Sequence, residues 1–414
     1  MDPVIRQLHL KRFRSVVAGK VEFDNPTFLV GRNGSGKSNV VDAFAFLADC
    51  TGAPLSSAFE NRGGLEAVRN RTSGQSFPPN LGIGVEFGAM NGSTRAGSYA
   101  FEVRALPSHR FEVVREQCRV VPTKGERVWF DRTKRGFRSN AAGLEPALDP
   151  SSLVLPLVAG DARFAPVLRT LAGARVYAIE PGKVREMQVP DSGVTLRPDG
   201  SNSASVLREI GRHSQANLDR ACEILASIVP NTVSVRPIKH GKMLSLEFAQ
   251  EWEAEKPAAA NRARARSGGA RKRLKFEAFS MSDGTLRALG LILATFQEPR
   301  PPLIVVEEPE ATIHPGALGA ILDLLHSASK LAQVVVTTHS PEVLDAKWIE
   351  DRHLRVVEWR QGATRVGVVS RACRESIQEH LMGAGELLRS NALEAEPFFV
   401  GPGRLEQSEL FEKL

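Results

Sequence analysis

Four separate stretches of this chain carry residues suited to handling a triphosphate. The first runs Gly31-Arg32-Asn33-Gly34-Ser35-Gly36-Lys37-Ser38-Asn39. Its glycines let the backbone curl so that N–H groups point at phosphate oxygens. Asn33, Gly34, Ser35, Gly36, Lys37, Ser38 and Asn39 are therefore the expected nucleotide-binding positions. The Lys37 ammonium can reach the β- and γ-phosphates, and the Ser38 hydroxyl can ligate Mg²⁺. The second stretch is Leu303-Ile304-Val305-Val306-Glu307-Glu308-Pro309-Glu310. Here an apolar strand ends in acids, the pattern in which one carboxylate holds a metal and the next orients and deprotonates an attacking water. Glu307 is the expected metal residue and Glu308 the expected general base.

The third stretch, Phe279 to Arg287, contains Ser282-Asp283-Gly284 just ahead of a helical pattern. A Ser and a Gly at a helix N-terminus can bind a γ-phosphate on the positive end of the helix dipole. The same turn is also a common helix cap. Its position favours the first reading, because Ser282 precedes Glu307 by 25 residues, room for one helix, a turn and one strand. The fourth stretch, Val334 to Pro341, ends an apolar strand in Thr337-Thr338-His339. A lone histidine is most often structural. This one follows Glu308 by 31 residues, which lets it share a sheet edge with Lys37 and Glu308 and act on the γ-phosphate.

Such chemistry needs a scaffold that brings remote segments together. Thr27–Val30 reads as a strand entering the glycine-rich loop. The spacing of Val40, Val41, Phe44 and Leu47 then predicts a helix leaving it, with its positive end at the anion. Residues from about 80 to 136 alternate in the manner of antiparallel strands. Helices are predicted over 203–213 and 215–228, and strands return over 233–248. From 279 onward helices and fully apolar strands alternate, as in a parallel sheet covered on both faces. Residues 258–275 mix Gly and Ser with dense Arg and Lys and read as an exposed connection.

The chain has 414 residues, 42% hydrophobic and 24% charged, an ordinary globular composition. No signal peptide is read at the N-terminus and no apolar run is long enough to span a membrane. Cys50, Cys118, Cys222 and Cys373 are far apart and form no metal-binding spacing, so a reducing, cytoplasmic setting is expected. The net charge of +7 permits polyanion binding without requiring it.

Taken together, GRNGSGKSN, SMSDGTLR, LIVVEEPEATIHP and VVVTTHSPEVLD resemble the RecF/SMC/OLD-like branch of the ABC-type AAA ATPases. The opening LHLKRFRS resembles the first strand of that branch, and VTLRPDGSNSASVLREI resembles a segment of its small AAA-type members. The resemblance implies an α/β fold, an ABC-type P-loop head with a mixed or parallel sheet and flanking helices, split by an α+β insertion. The lobes would be residues 1–90 and 276–414, with residues 91–275 between them. It also implies Mg²⁺ and ATP as ligands, with each ATP sandwiched between the P-loop of one copy and Ser282 and Gly284 of another. The resemblance also implies that Arg14 and Ser15 align with residues that touch nucleotide in relatives. Two departures stand out: Glu307 occupies the position usually held by Asp, and Gln75 is only a candidate for the glutamine of the Q-loop.

With 75 residues after His339, no built-in nuclease domain is expected. With the resemblance and a basic run beside it, the expected use is a DNA-associated or anti-phage defence ATPase working with a separately encoded effector. Its possible DNA contact is the basic run Arg262, Arg264, Arg266, Arg271, Lys272, Arg273 and Lys275. Two other uses remain open. One is a RecF-like repair factor whose Gln407–Phe411 stretch docks on a sliding clamp. The other is a slow-turnover ATP-gated clamp.

Overall fold

The computed structural model describes residues 3–70, 80–88, 95–121, 126–253, 271–396 and 410–411. Gln75 and residues 258–270 lie outside these, as do 397–409. The described chain forms two compact units. One holds residues 1–176, 301–307 and 329–414; the other holds 177–300 and 308–328.

The first unit contains two sheets. One has six strands in the order Ala363–Val368, Leu354–Arg360, Thr27–Val30, Gln333–Thr338, Leu303–Glu307 and Arg175–Tyr177. Its central strands are parallel, with Thr337 level with Glu307 and Thr338 level with Val30. Their carboxyl ends therefore form one edge, and Gly31, Glu308 and His339 are the next residues in the chain. These strands are Val-, Leu- and Ile-rich without alternation, because both faces are covered.

The other sheet is antiparallel, seven strands in the order Val16–Glu22, Val4–Phe13, Asn80–Gly88, Arg95–Ala105, Phe111–Val120, Val128–Thr133 and Gly136–Ser139. The helix Lys37–Gly52 buries Val40, Val41, Phe44, Phe46 and Leu47 in the core of this unit. Phe46 sits 5.6 Å from Phe13 and 5.2 Å from Phe59, tilted aromatic contacts that fix the helix. The buried Gln333 carboxamide joins the two sheets: Ile5 N donates to its Oε1 at 2.8 Å, and its Nε2 donates to Ile5 O at 2.6 Å.

The second unit packs helices Ser203–His213, Gln215–Ile228 and Asp283–Phe296 with a three-stranded antiparallel sheet, Thr232–His240, Met243–Glu253 and Arg271–Glu277. The two helices predicted over 203–213 and 215–228 form at those bounds, the second capped by Ser214 Oγ accepting from Asn217 N. The segment read as a connection over 258–275 differs at its end, since Arg271–Glu277 is a strand. Lys275 lies 3.2 Å from Glu247 and Arg273 lies 3.8 Å from Glu251 on the adjacent strand, so cross-strand charge pairing accommodates a basic run that carries little hydrophobic signal. No helix is long and apolar enough to cross a membrane among the described residues.

Candidate nucleotide site

In the first unit the loop Gly31–Gly36 leaves the strand Thr27–Val30 and enters the helix beginning at Lys37. Gly36 has φ 100°, a left-handed backbone that glycine adopts without a Cβ penalty. A Cβ there would also fall 1.9 Å from Thr364 Oγ1. Lys37 is buried, and its Nζ donates to Gly31 O at 2.7 Å and Arg32 O at 3.1 Å, closing the loop upon itself. Asn33, Gly34 and Ser38 are exposed. A cleft of about 590 Å³ opens beside the loop, lined by Arg32, Asn33, Gly34, Trp359, Arg360 and Leu388. Its volume falls within the range of small-molecule sites.

Ser38 Oγ donates to Glu307 Oε2 at 2.7 Å across 269 residues of chain. A hydroxyl and a carboxylate facing one another at the end of a phosphate loop form an oxygen donor set suited to Mg²⁺, which takes few protein ligands and fills the rest with water and phosphate. No group of three or more His, Cys, Asp or Glu is placed to hold a metal among the described residues. His339 is exposed at the end of its strand. The next residue, Ser340, donates from Oγ to Glu342 Oε2 at 2.6 Å, which holds that carboxyl below its ordinary pKa.

Arg14, with φ 50°, donates from Nε to Asp42 Oδ2 at 2.8 Å and from Nη1 to Ala67 O at 3.1 Å. Asp42 also receives Arg62 Nε at 2.9 Å, and Asp49 receives Arg62 Nη1 at 2.6 Å. Burial works against the Arg62 charge, but the Asp42 and Asp49 carboxylates outweigh it and raise the guanidinium pKa. Arg14 is thus fixed on the helix that the phosphate loop opens.

In the second unit, Ser282 caps Asp283–Phe296, its Oγ accepting from Thr285 N at 3.3 Å. Gly284 approaches the neighbouring backbone closely, since a Cβ there would fall 2.6 Å from Thr312 O. Arg185 Nη2 donates to Asp283 Oδ1 at 2.6 Å and to Met281 O at 3.0 Å, pinning the turn. Glu308 opens the segment of this unit that follows the acidic strand, with φ 45°, a conformation that costs a non-glycine residue about 1 kcal/mol or more. Its carbonyl accepts from Arg287 Nη2 at 2.9 Å and from Ala311 N at 3.0 Å.

A family model described as "AAA domain, putative AbiEii toxin, Type IV TA system" matches residues 27–151 and 209–345, more than half of the sequence. The chain belongs to this AAA family. No match is found among curated proteins. Among solved structures, an Smc head bound to the C-winged helix domain of ScpA is similar, with TM-score 0.53 and 17% identity over 88% of this chain and 97% of that one. So is an Smc head with an extended coiled coil, bound to the C-terminal domain of ScpA, from Pyrococcus furiosus, with TM-score 0.53 and 16% identity over 92% and 99%. At this identity the likeness establishes the fold: this AAA chain is an ABC-type P-loop head of mixed α/β architecture carrying an insertion.

Two residues, one in each unit, support these segments without a sequence signal. Thr364 lies 329 residues from the loop it supports, and its Oγ1 donates to Ser35 O at 2.9 Å. Thr364 Oγ1 accepts from Ser15 Oγ at 2.6 Å, and Ser15 Oγ accepts from Asn39 Nδ2 at 2.6 Å. The hydroxyls thus form one chain running from the P-loop helix back to the P-loop. Arg287 ties the Ser282 helix to the Glu308 backbone and also donates to Ile179 O at 2.9 Å. Both are positioning residues.

The Ser38–Glu307 pair yields an expectation. Ser38→Ala removes one candidate metal ligand and leaves the loop glycines and Lys37 in place. ATP affinity without Mg²⁺ should be unchanged, while the Mg²⁺ concentration for half-maximal turnover should rise about tenfold, the order expected for one lost contact of about 1.4 kcal/mol. A metal titration of turnover reads this directly. An unaltered Mg²⁺ requirement would remove Ser38 from the metal's coordination.

Proposed function

We propose that this AAA chain binds Mg-ATP and hydrolyses it at a site shared by two copies. What supports the reading most is the shared carboxyl edge of the parallel sheet, where the P-loop, Glu307 and the strand ending before His339 leave in register. In this reading Lys37 Nζ exchanges the carbonyls of Gly31 and Arg32 for β- and γ-phosphate oxygens. The N–H groups of Asn33 to Asn39, with the helix N-terminus behind them, orient the triphosphate. Ser38 and Glu307 hold the divalent ion, which when bound neutralises charge on the phosphates. Glu308 orients the attacking water and takes its proton. His339 touches the γ-phosphate, Arg14 lies by the nucleotide, and Ser282 and Gly284 of a second copy close the site with a helix N-terminus. The lobes that operate in this way are residues 1–90 and 276–414, with 91–275 as the insertion.

The proposed work is a defence or DNA-associated process carried out with a separate effector. The family description, which names a toxin of type IV toxin–antitoxin systems, supports the first part. The titles of the similar Smc heads, which describe heads bound to ScpA domains, support a protein partner.

The shared site makes a sharp demand. Lys37→Ala disables the P-loop of its own copy, and Ser282→Arg disables the contribution made to the neighbour's site. Each variant alone should be inactive, yet a mixture should regain turnover, because one site of each mixed dimer pairs an intact P-loop with an intact Ser282. A mixture as inactive as its components, although ATP binding persists in the Ser282 variant, would refute the two-copy arrangement.

A further inference from the structure

The strand Asn80–Gly88 buries Leu81, Ile83, Val85 and Phe87 in the core of the first unit. Successive side chains of a strand alternate between faces, so Gly82 and Gly84 belong to the other, polar face of the antiparallel sheet. Glycine inside a strand weakens it and often marks a place where another group approaches closely. Here two glycines stand at i and i+2, with Ala100 opposite Gly84 and Glu102 opposite Gly82. Their missing side chains leave a trough, with the Ala100 methyl beside it, 3.1 Å from where a Cβ on Gly84 would fall.

The charged groups beside the trough are paired within the sheet. Lys11 Nζ lies 2.9 Å from Glu102 Oε1, which also accepts from Asn80 Nδ2 at 2.9 Å. His9 lies 3.3 Å from Glu86. Arg115 grips Asp131 with two bonds of 3.0 and 3.1 Å, which fixes the plane of its guanidinium. A surface so arranged asks no charge of an occupant and offers an apolar slot with a flat cation beside it.

The C-terminal pair Leu410–Phe411 occupies it. A Cβ on Gly82 would fall 2.5 Å from Leu410 Cδ1, and one on Gly84 would fall 3.2 Å from Leu410 Cδ2. The Arg115 guanidinium lies 4.5 Å from the centroid of the Phe411 ring, a cation–π contact. We propose that this trough is a receptor for a Leu-Phe pair, filled in cis by the chain's own tail, which thereby withholds Leu410 and Phe411 from any other protein. The proposal is independent of the ATPase reading. It uses none of the residues assigned to the nucleotide.

The test uses the full-length chain and a fluorescein-labelled synthetic peptide of residues 404–414. A tethered occupant competes at an effective concentration of about millimolar for a short linker. The native chain should therefore bind the peptide at least about tenfold more weakly than the double variant Leu410→Ala/Phe411→Ala. Adding Gly82→Val to that double variant fills the trough with a residue that favours strands, and should abolish peptide binding. A native-like thermal unfolding transition in all three chains establishes that they are folded. Equal peptide binding by the native chain and the double variant would overturn the proposal, as would no binding to the double variant or indifference to Gly82→Val. A native dimer that the tail substitutions dissociate would overturn the cis assignment and give the trough to the tail of a second copy.

Discussion

Lys37→Ala should weaken ATP binding by about 100-fold, the loss expected when a buried ammonium no longer reaches phosphate oxygens, about 2 to 3 kcal/mol. The argument rests on where the ammonium sits. It is buried at the mouth of the helix, bonded to the carbonyls of Gly31 and Arg32, and those carbonyls can return to water when phosphate takes their place. No other lysine lies in the loop. Calorimetric titration with ATP, together with thermal unfolding without nucleotide, separates lost contact from lost fold. Undiminished affinity in a folded variant would mean that the phosphates bind elsewhere.

Glu308→Gln should leave ATP affinity nearly intact and lower turnover by about 10²- to 10⁴-fold, the range for removal of a positioned general base. Glutamine preserves the shape of the side chain. The backbone restraints are made through the Glu308 carbonyl, to Arg287 and to Ala311 N, and survive the exchange. The left-handed φ is the same demand for either residue, so stability should change little. ATP-bound dimers should then accumulate, visible by sedimentation. Turnover equal to that of the native chain would assign the base to another residue. Arg287→Ala is a useful comparison, because it loosens the backbone of Glu308 while leaving its carboxylate in place.

Much of this arrangement could be read from local sequence. The P-loop, the acidic strand end and the strand before His339 each combine an apolar run with a polar terminus, and the parallel register then brings their ends to one edge. The helix at 215–228 was legible because its buried residues, Ala221, Leu225 and Ile228, recur with helical period, whereas the helix at 203–213 buries the unbroken run Ser203–Leu207. Arg271–Glu277 was not, because its side chains are mostly charged and its strand conformation comes from the acidic neighbour it pairs with. Thr364 and Arg287 were not, because each acts through a hydrogen bond to a distant backbone carbonyl, and nothing in the flanking residues encodes that partner. The meaning of Gly82 and Gly84 likewise emerges only with Leu410 in view. Arg14 illustrates a different limit: only the family resemblance implied a nucleotide contact, while the structure adds the salt bridge to Asp42 that fixes the side chain.

The Gln333 clamp bears on how such a protein is made. The strand entering the P-loop lies between partners contributed by residues 333–338 and 354–360, and the first strand is held at Ile5 by a carboxamide 328 positions away. While the ribosome is still adding the middle of the chain, the glycine-rich loop has no sheet to hang from. The nascent first half must wait, without its flanking strands, until synthesis has passed Arg360. Contacts this remote slow folding and lengthen the period in which apolar strands stand unpaired, so this sheet edge can assemble only after its flanking strands, residues 333–338 and 354–360, have been made.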